Sequence, residues 1–204
     1  MSGIVAQNTL DNTGLIKSPE GGGAWNFISK TTASSDATIS FTSGIDSTYK
    51  EYIFTFNNIH PETDNKYLGF QGNVAGGADY NETITSTSFY AYHNEADGTT
   101  SLSYAAGNDL ANGTGFQRIS DEVGNGNDEC ASGYLHLFNP SGTTFVKHFM
   151  SRFNTYYGAD YSVDSHISGY FNLTGAIDEI QFKFESGAID TGDICLYGIS
   201  AWQV

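Results

Sequence analysis

The loop SDEVGNGNDE at 120–129 places Asp121, Asn125, Asn127 and Asp128 close together, four side chains that offer hard oxygen ligands. Calcium takes about six to eight such oxygens. The EF-hand spacing fails, because Val123 stands where a second ligand should be. The stretch is expected to be a solvated loop, with these four residues as its only candidate metal ligands. A second chemistry is stacking on sugar rings, for which Tyr90, Tyr156, Tyr157 and Tyr161 are candidates. Sugar C–H faces pack on aromatic rings while their hydroxyls need hydrogen-bonding side chains such as Asn and Asp. A sandwich this aromatic also needs such residues in its core, so the sequence leaves both uses open.

Catalytic arrangements are weaker still. His60, His93, His136, His148 and His166 are scattered, and no HExxH, CxxC, P-loop or GxSxG motif occurs. His136 alternates with Tyr134 and Phe138, and His148 follows Lys147 on the neighbouring run, as ordinary strand histidines do. Glycoside hydrolysis needs two carboxylates at a fixed separation, and the 23 acidic residues single out no pair. The reading is therefore not an enzyme and no cofactor. Two cysteines are too few for a disulfide framework. Cys195 sits in an apolar run and is expected to be a small core residue; Cys130 lies at a loop-to-strand junction.

The elements that would position these residues are strands. Aromatics make up 14 % of the 204 residues, with 24 Gly and 3 Pro, a composition that favours strands joined by turns. Runs at 25–29, 37–42, 49–59, 66–74, 88–93, 115–120, 162–173, 177–185 and 193–199 have strand character, as do two runs around the turn NPSG within 132–157. Tyr52, Phe54 and Phe56 share one face of their run, with Ile53 and Thr55 on the other. EIQFKFESGAIDTGDICLYGIS (179–200) reads as a terminal hairpin that finishes the module. No stretch has sustained helical spacing. The pattern predicts an all-β, antiparallel β-sandwich over 25–204.

Residues 1–24 read differently. Two aliphatic pairs, Ile4-Val5 and Leu15-Ile16, precede the joint Gly21-Gly22-Gly23. The expectation is an extended N-terminal arm that docks on a neighbouring subunit. MSGIVAQNTL has no basic n-region and no long apolar run, so neither a signal peptide nor a membrane span is expected. The sequon matches at Asn81, Asn112 and Asn172 then carry no meaning as glycosylation sites. Eight basic against 23 acidic residues give a formal charge of −15. Such a surface repels phosphate backbones and anionic lipid heads, which argues against nucleic acid or membrane as partner.

Four phrases carry a wider likeness: GIVAQNTLDNTGLIKS; WNFISKTTASSDATISFTSGIDSTYKEYIFTFNNIHPETDN; GYLHLFNPSGTTFVKHFMSRF; and IDEIQFKFESGAIDTGDICLYGI. Together they resemble β-rich virion proteins of tailed bacteriophages, marine ones in particular. The likeness covers most of the chain and is thin between about 75 and 130. It implies a jelly-roll-like sandwich of the kind used on capsid surfaces and in tail fibres or spikes. Because its motifs describe fold, it transfers no catalytic residue. The implied function is a virion structural protein, either capsid decoration or a small head or tail appendage. Its partners would be phage capsid or tail proteins and other copies of itself, with a trimer as the expected symmetry. The alternative is a receptor-binding fibre, spike or carbohydrate-binding module that recognises host surface polysaccharide.

Overall fold

In the strand Lys147–Tyr157, buried and exposed side chains alternate without a break from Lys147 to Thr155. Phe149 and Phe153 point one way and Met150 and Arg152 the other, the period-two pattern of a chain between a core and a second surface. The computed structural model describes residues 25–200. The arm residues Ile4, Val5, Leu15 and Ile16, with the glycine joint, lie outside the described residues.

The described residues form twelve strands: β1 (Trp25–Asp36), β2 (Ile39–Phe41), β3 (Glu51–Pro61), β4 (Leu68–Val74), β5 (Ile84–Asn94), β6 (Thr100–Tyr104), β7 (Gln117–Arg118), β8 (Ala131–Phe138), β9 (Lys147–Tyr157), β10 (Tyr161–Phe171), β11 (Ile177–Phe184) and β12 (Ile189–Ile199). They make two antiparallel sheets, one in the order β1-β12-β3-β8-β9-β10-β5-β6 and one in the order β2-β11-β4-β7. Four pairs are nested. β1 pairs with β12 and β3 with β8 in the large sheet, while β2 pairs with β11 and β4 with β7 in the small one. That nesting is a long antiparallel ribbon rolled over itself, the wiring of a jelly roll. Two insertions widen it: β5-β6 between β4 and β7, and β9-β10 between β8 and β11, all four adding to the large sheet.

The terminal hairpin is the main correction to the sequence reading. β11 pairs with β2 and β4, whereas β12 pairs with β1 and β3 in the opposite sheet. The turn between them is a corner of the sandwich. Gly187 sits there with φ 74°, in the left-handed region that glycine enters without a Cβ penalty. Glu62 fastens the corner: its N–H donates to Ala188 O at 3.0 Å, and its carboxylate accepts from Ala188 N at 3.0 Å. By contrast, β8 and β9 do form the hairpin expected around NPSG.

The two sheets meet through phenylalanine rings. Phe182 of β11 lies 5.1 Å from Phe54 and 5.0 Å from Phe56 of β3, and 6.1 Å from Phe41 of β2, each edge-on. Edge-to-face contact suits the ring quadrupoles. Phe70 meets Phe149 in the same manner at 5.0 Å. Buried amides hold the looser segments. Gln71 donates to the carbonyls of Glu82 and Gly115, and Gln117 donates to Asn108 O and Arg118 O while accepting from Ser86. Buried Lys147 donates to Phe145 O at 2.6 Å and Thr174 O at 3.2 Å, and burial pulls its ammonium below the usual lysine range.

Candidate interaction face

One face of the large sheet packs on the core, and among the described residues nothing covers its opposite face. Register places Phe27, Tyr197, Ile53, His136 and Met150 in one outward row across β1, β12, β3, β8 and β9. The next row runs Lys30, Cys195, Thr55, Tyr134, Arg152, His166, Phe89 and Tyr104. Leu102 of β6 stands opposite Ala91 on the same side. Most large apolar side chains that the described residues expose are here: Trp25, Phe27, Phe89, Leu102, Tyr104, Tyr134 and Met150. Phe27 is 62 % exposed and Leu102 72 %. Scattered apolar residues are normal on a surface, but a contiguous set marks an interaction site.

The rings on this face support one another. Trp25 and Phe27 lie 5.5 and 5.8 Å from Tyr197, and Phe89 stacks on His166 at 4.7 Å and 6°. Edge-strand β1 carries a register shift between Phe27 and Ser29, a bulge that bends the edge and discourages further strand pairing.

Charges on the face come in matched sets. Lys30 meets Asp193 at 2.7 Å, Arg152 and His166 both meet Asp164, at 2.8 and 3.2 Å, and His136 lies 2.9 Å from Glu51. Arg152 grips Asp164 with two nitrogens, Nε and Nη2, the bidentate geometry that fixes both side chains. Those contacts hold Asp164 below the usual carboxylate range, Arg152 first, against the opposing effect of burial. Lys30 and then Thr32 do the same for Asp193. His136 behaves differently. Burial lowers its pKa more than the Glu51 charge raises it, and its Nε2 is close to Glu51 without alignment for a hydrogen bond. The neutral imidazole is thus the favoured form.

Cys195 is buried, as a small apolar residue on the outward row of β12. Cys130 and Cys195 are both free thiols, and burial raises the Cys130 pKa.

The candidate calcium residues are placed apart in their bonding. Asp121 accepts from Arg118 Nη2 at 2.5 Å and from the Glu122 N–H. Asn125 donates to Glu62 O, and its N–H donates to Asp64. Asn127 and Asp128 are exposed. Val123, the residue that breaks the ligand spacing, is fully buried and bridged to Lys66. Among the described residues no three His, Cys, Asp or Glu side chains are grouped to hold a metal.

Three of the four candidate sugar-stacking tyrosines come together. Tyr90, Tyr161 and Tyr157 join with Tyr92 in a chain of rings, with centroids 5.9, 5.5 and 5.9 Å apart along Tyr90–Tyr92–Tyr161–Tyr157. They lie on the core-side face of β5, β9 and β10. Tyr156 points the other way and donates to Asp160 at 3.1 Å. It lines a cleft of about 380 Å³ with His93, Glu95, Asp128 and Asn154. The Asp160 contact, partial burial and the charges of Glu95, Asp160 and Asp128 push the Tyr156 hydroxyl up to about 12.

The histidines answer to acids and carbonyls. His60 contacts Gly126 O and Asp190, and His93 contacts Asp97. His148 packs edge-on against Tyr170.

Fold and face define a class, an all-β sandwich of jelly-roll wiring with one sheet face that none of the described elements covers. No protein-family profile matches the chain, and no curated protein does. Among solved structures the chain is similar to one titled "Structure of infectious bursal disease virus Gx strain", at 14 % identity and a TM-score of 0.14. That alignment covers 86 % of this chain and 39 % of the other. A TM-score that low establishes no common architecture.

Proposed function

We propose that the protein is a non-enzymatic structural component of a tailed-bacteriophage particle, displayed on the particle surface and held there through residues 1–24. The observation that supports this reading is the uncovered face of the large sheet. An assembly subunit presents a contiguous apolar area to its neighbours, and keeps the rest of its surface charged and soluble. A formal charge of −15 supplies the second requirement and discourages clumping between particles. Capsid decoration or a small head or tail appendage fits a sandwich of this size better than a fibre shaft, which needs long repeats. The aliphatic pairs Ile4-Val5 and Leu15-Ile16 suit a tether, since each such side chain gains about 1.5–3 kcal/mol on full burial.

The test is incorporation. Particles grown with a chain lacking residues 1–20 are purified and their proteins resolved on a gel. The expected result is a folded, soluble protein absent from particles. Normal incorporation would mean that the sandwich itself makes the attachment. A second reading, recognition of host polysaccharide, is favoured by the tyrosine chain Tyr90–Tyr92–Tyr161–Tyr157. Binding on a glycan array that is lost in Tyr161→Ala would favour it.

A further inference from the structure

The outward face of the large sheet has a size and a charge distribution that suit one particular occupant. Eight strands about 4.8 Å apart span about 34 Å, and about four rows of outward side chains cover about 20–25 Å along the strands. The product is about 700–850 Å², close to the ~800 Å² that each partner contributes to a standard protein–protein interface.

Charge then decides between occupants. The whole chain carries −15, so two copies repel one another through most of their surface. On the central rows of this face Asp164 and Asp193 are paired with Arg152 and Lys30 at 2.8 and 2.7 Å, and Glu51, which lies beside the neutral imidazole of His136, is the acid left without a cationic partner. A face with a single uncompensated acid opposes a second copy far less than the rest of a chain that carries −15. A strongly basic partner, by contrast, would find its complement elsewhere on the molecule. Aromatic and Met side chains with a paired Arg are also the residue types enriched at interface centres.

We propose that two copies of this chain pack these faces together in a two-fold, sheet-on-sheet dimer. A single self-complementary patch gives an isologous contact, which closes at two subunits rather than at the trimer that the sequence likeness implies. Two sheets packed face to face lie about 10 Å apart with strands about 30° from parallel. Met150 and Tyr134 lie on strands β8 and β9 in mid-sheet, so they sit near the two-fold axis. The proposal does not depend on where the protein resides in a particle.

The test is sedimentation equilibrium of the full chain, supported by light scattering, over about 1–100 μM. The expected species is a dimer. Met150→Glu places two new carboxylates near the axis and is expected to weaken dimerisation about 100-fold or more, since like charges across an interface cost several kcal/mol. Met150 is 54 % exposed in the isolated chain, so the variant should keep its far-UV circular dichroism and melting temperature. Phe145→Glu, at a side chain 75 % exposed in the loop before β9, should leave the dimer intact. A monomer at every concentration overturns the proposal, as does a dimer or trimer indifferent to Met150→Glu. A dimer abolished by removal of residues 1–24 but untouched by Met150→Glu also overturns it, and assigns association to the N-terminal segment. Loss of incorporation with a persistent dimer would separate this contact from the particle tether.

Discussion

Phe182→Ala is the sharpest perturbation the core offers. The ring is fully buried on β11 of the small sheet, and it touches Phe54 and Phe56 of the large sheet and Phe41 beside it. Truncating a buried Phe costs about 3–5 kcal/mol through lost transfer energy and the cavity left behind. That range already contains the lost edge-to-face pairs, each worth about 0.5–1.5 kcal/mol beyond burial, and three such pairs place this ring high within it. Three rings from β2 and β3, one strand in each sheet, surround the site, so collapse around the void requires both sheets to move. The expected loss is therefore at the upper end, about 4–5 kcal/mol. For a chain of this length, about 2–4 °C per kcal/mol gives a melting temperature lower by roughly 8–20 °C. The assay is urea unfolding followed by far-UV circular dichroism at one fixed protein concentration, because association would shift the apparent stability. The slope against urea should stay constant, since the surface exposed on unfolding hardly changes. Phe145→Ala serves as the comparison and should cost under about 0.5 kcal/mol, as exposed substitutions do. A loss below about 2 kcal/mol for Phe182→Ala at unchanged slope would refute the claim that this ring rivets the sheets together.

In Gly133→Ala the new Cβ would meet Arg152 O at 2.3 Å and Phe153 Cα at 2.9 Å. These are backbone or near-backbone contacts on β9 that no rotamer relieves, so we expect about 1–3 kcal/mol of destabilisation and faster amide exchange along β8–β9; unchanged exchange would contradict it. His136 has a folded pKa below its ordinary 6.5, so the unfolded chain binds the proton more tightly. Its contribution is fully present above about pH 6.5 and is lost as pH falls toward the folded value. Urea unfolding of the wild type should accordingly show falling stability on acidification from about pH 7.5 to 5, with a flatter profile in His136→Gln; a wild-type gain on acidification would overturn the assignment. Asp164 and Asp193, held below 3.8 by Arg152 and Lys30, lose their contribution only at more acid pH.

Local pattern settled what each segment is. The alternation in YKEYIFTFNNI and KHFMSRFNTYY specifies strands and sorts Phe54 from Thr55 and Phe149 from Met150, because successive strand side chains point to opposite faces whatever the strand pairs with. β6, Thr100–Tyr104, escaped this reading because its five residues are mostly Thr and Ser, and Leu102 and Tyr104 face outward. Partner choice is a different matter. β11 and β12 look like a hairpin because both are half-apolar and a glycine turn joins them, yet they enter opposite sheets, where each pairs with two other strands. Hydrophobic alternation likewise says that Phe27, Met150 and Leu102 share a face with something, but not whether that face is covered. Only the eight-strand register, which joins segments as distant as 25 and 199, brings these side chains into one patch and sets Asp164 beside Arg152 and Asp193 beside Lys30. Likewise, only the antiparallel pairing of β5 with β10 and of β10 with β9 lines up Tyr90, Tyr161 and Tyr157. Spacing along the chain fixes the direction of a side chain; long-range pairing fixes its company, and the candidate interaction face is a matter of company.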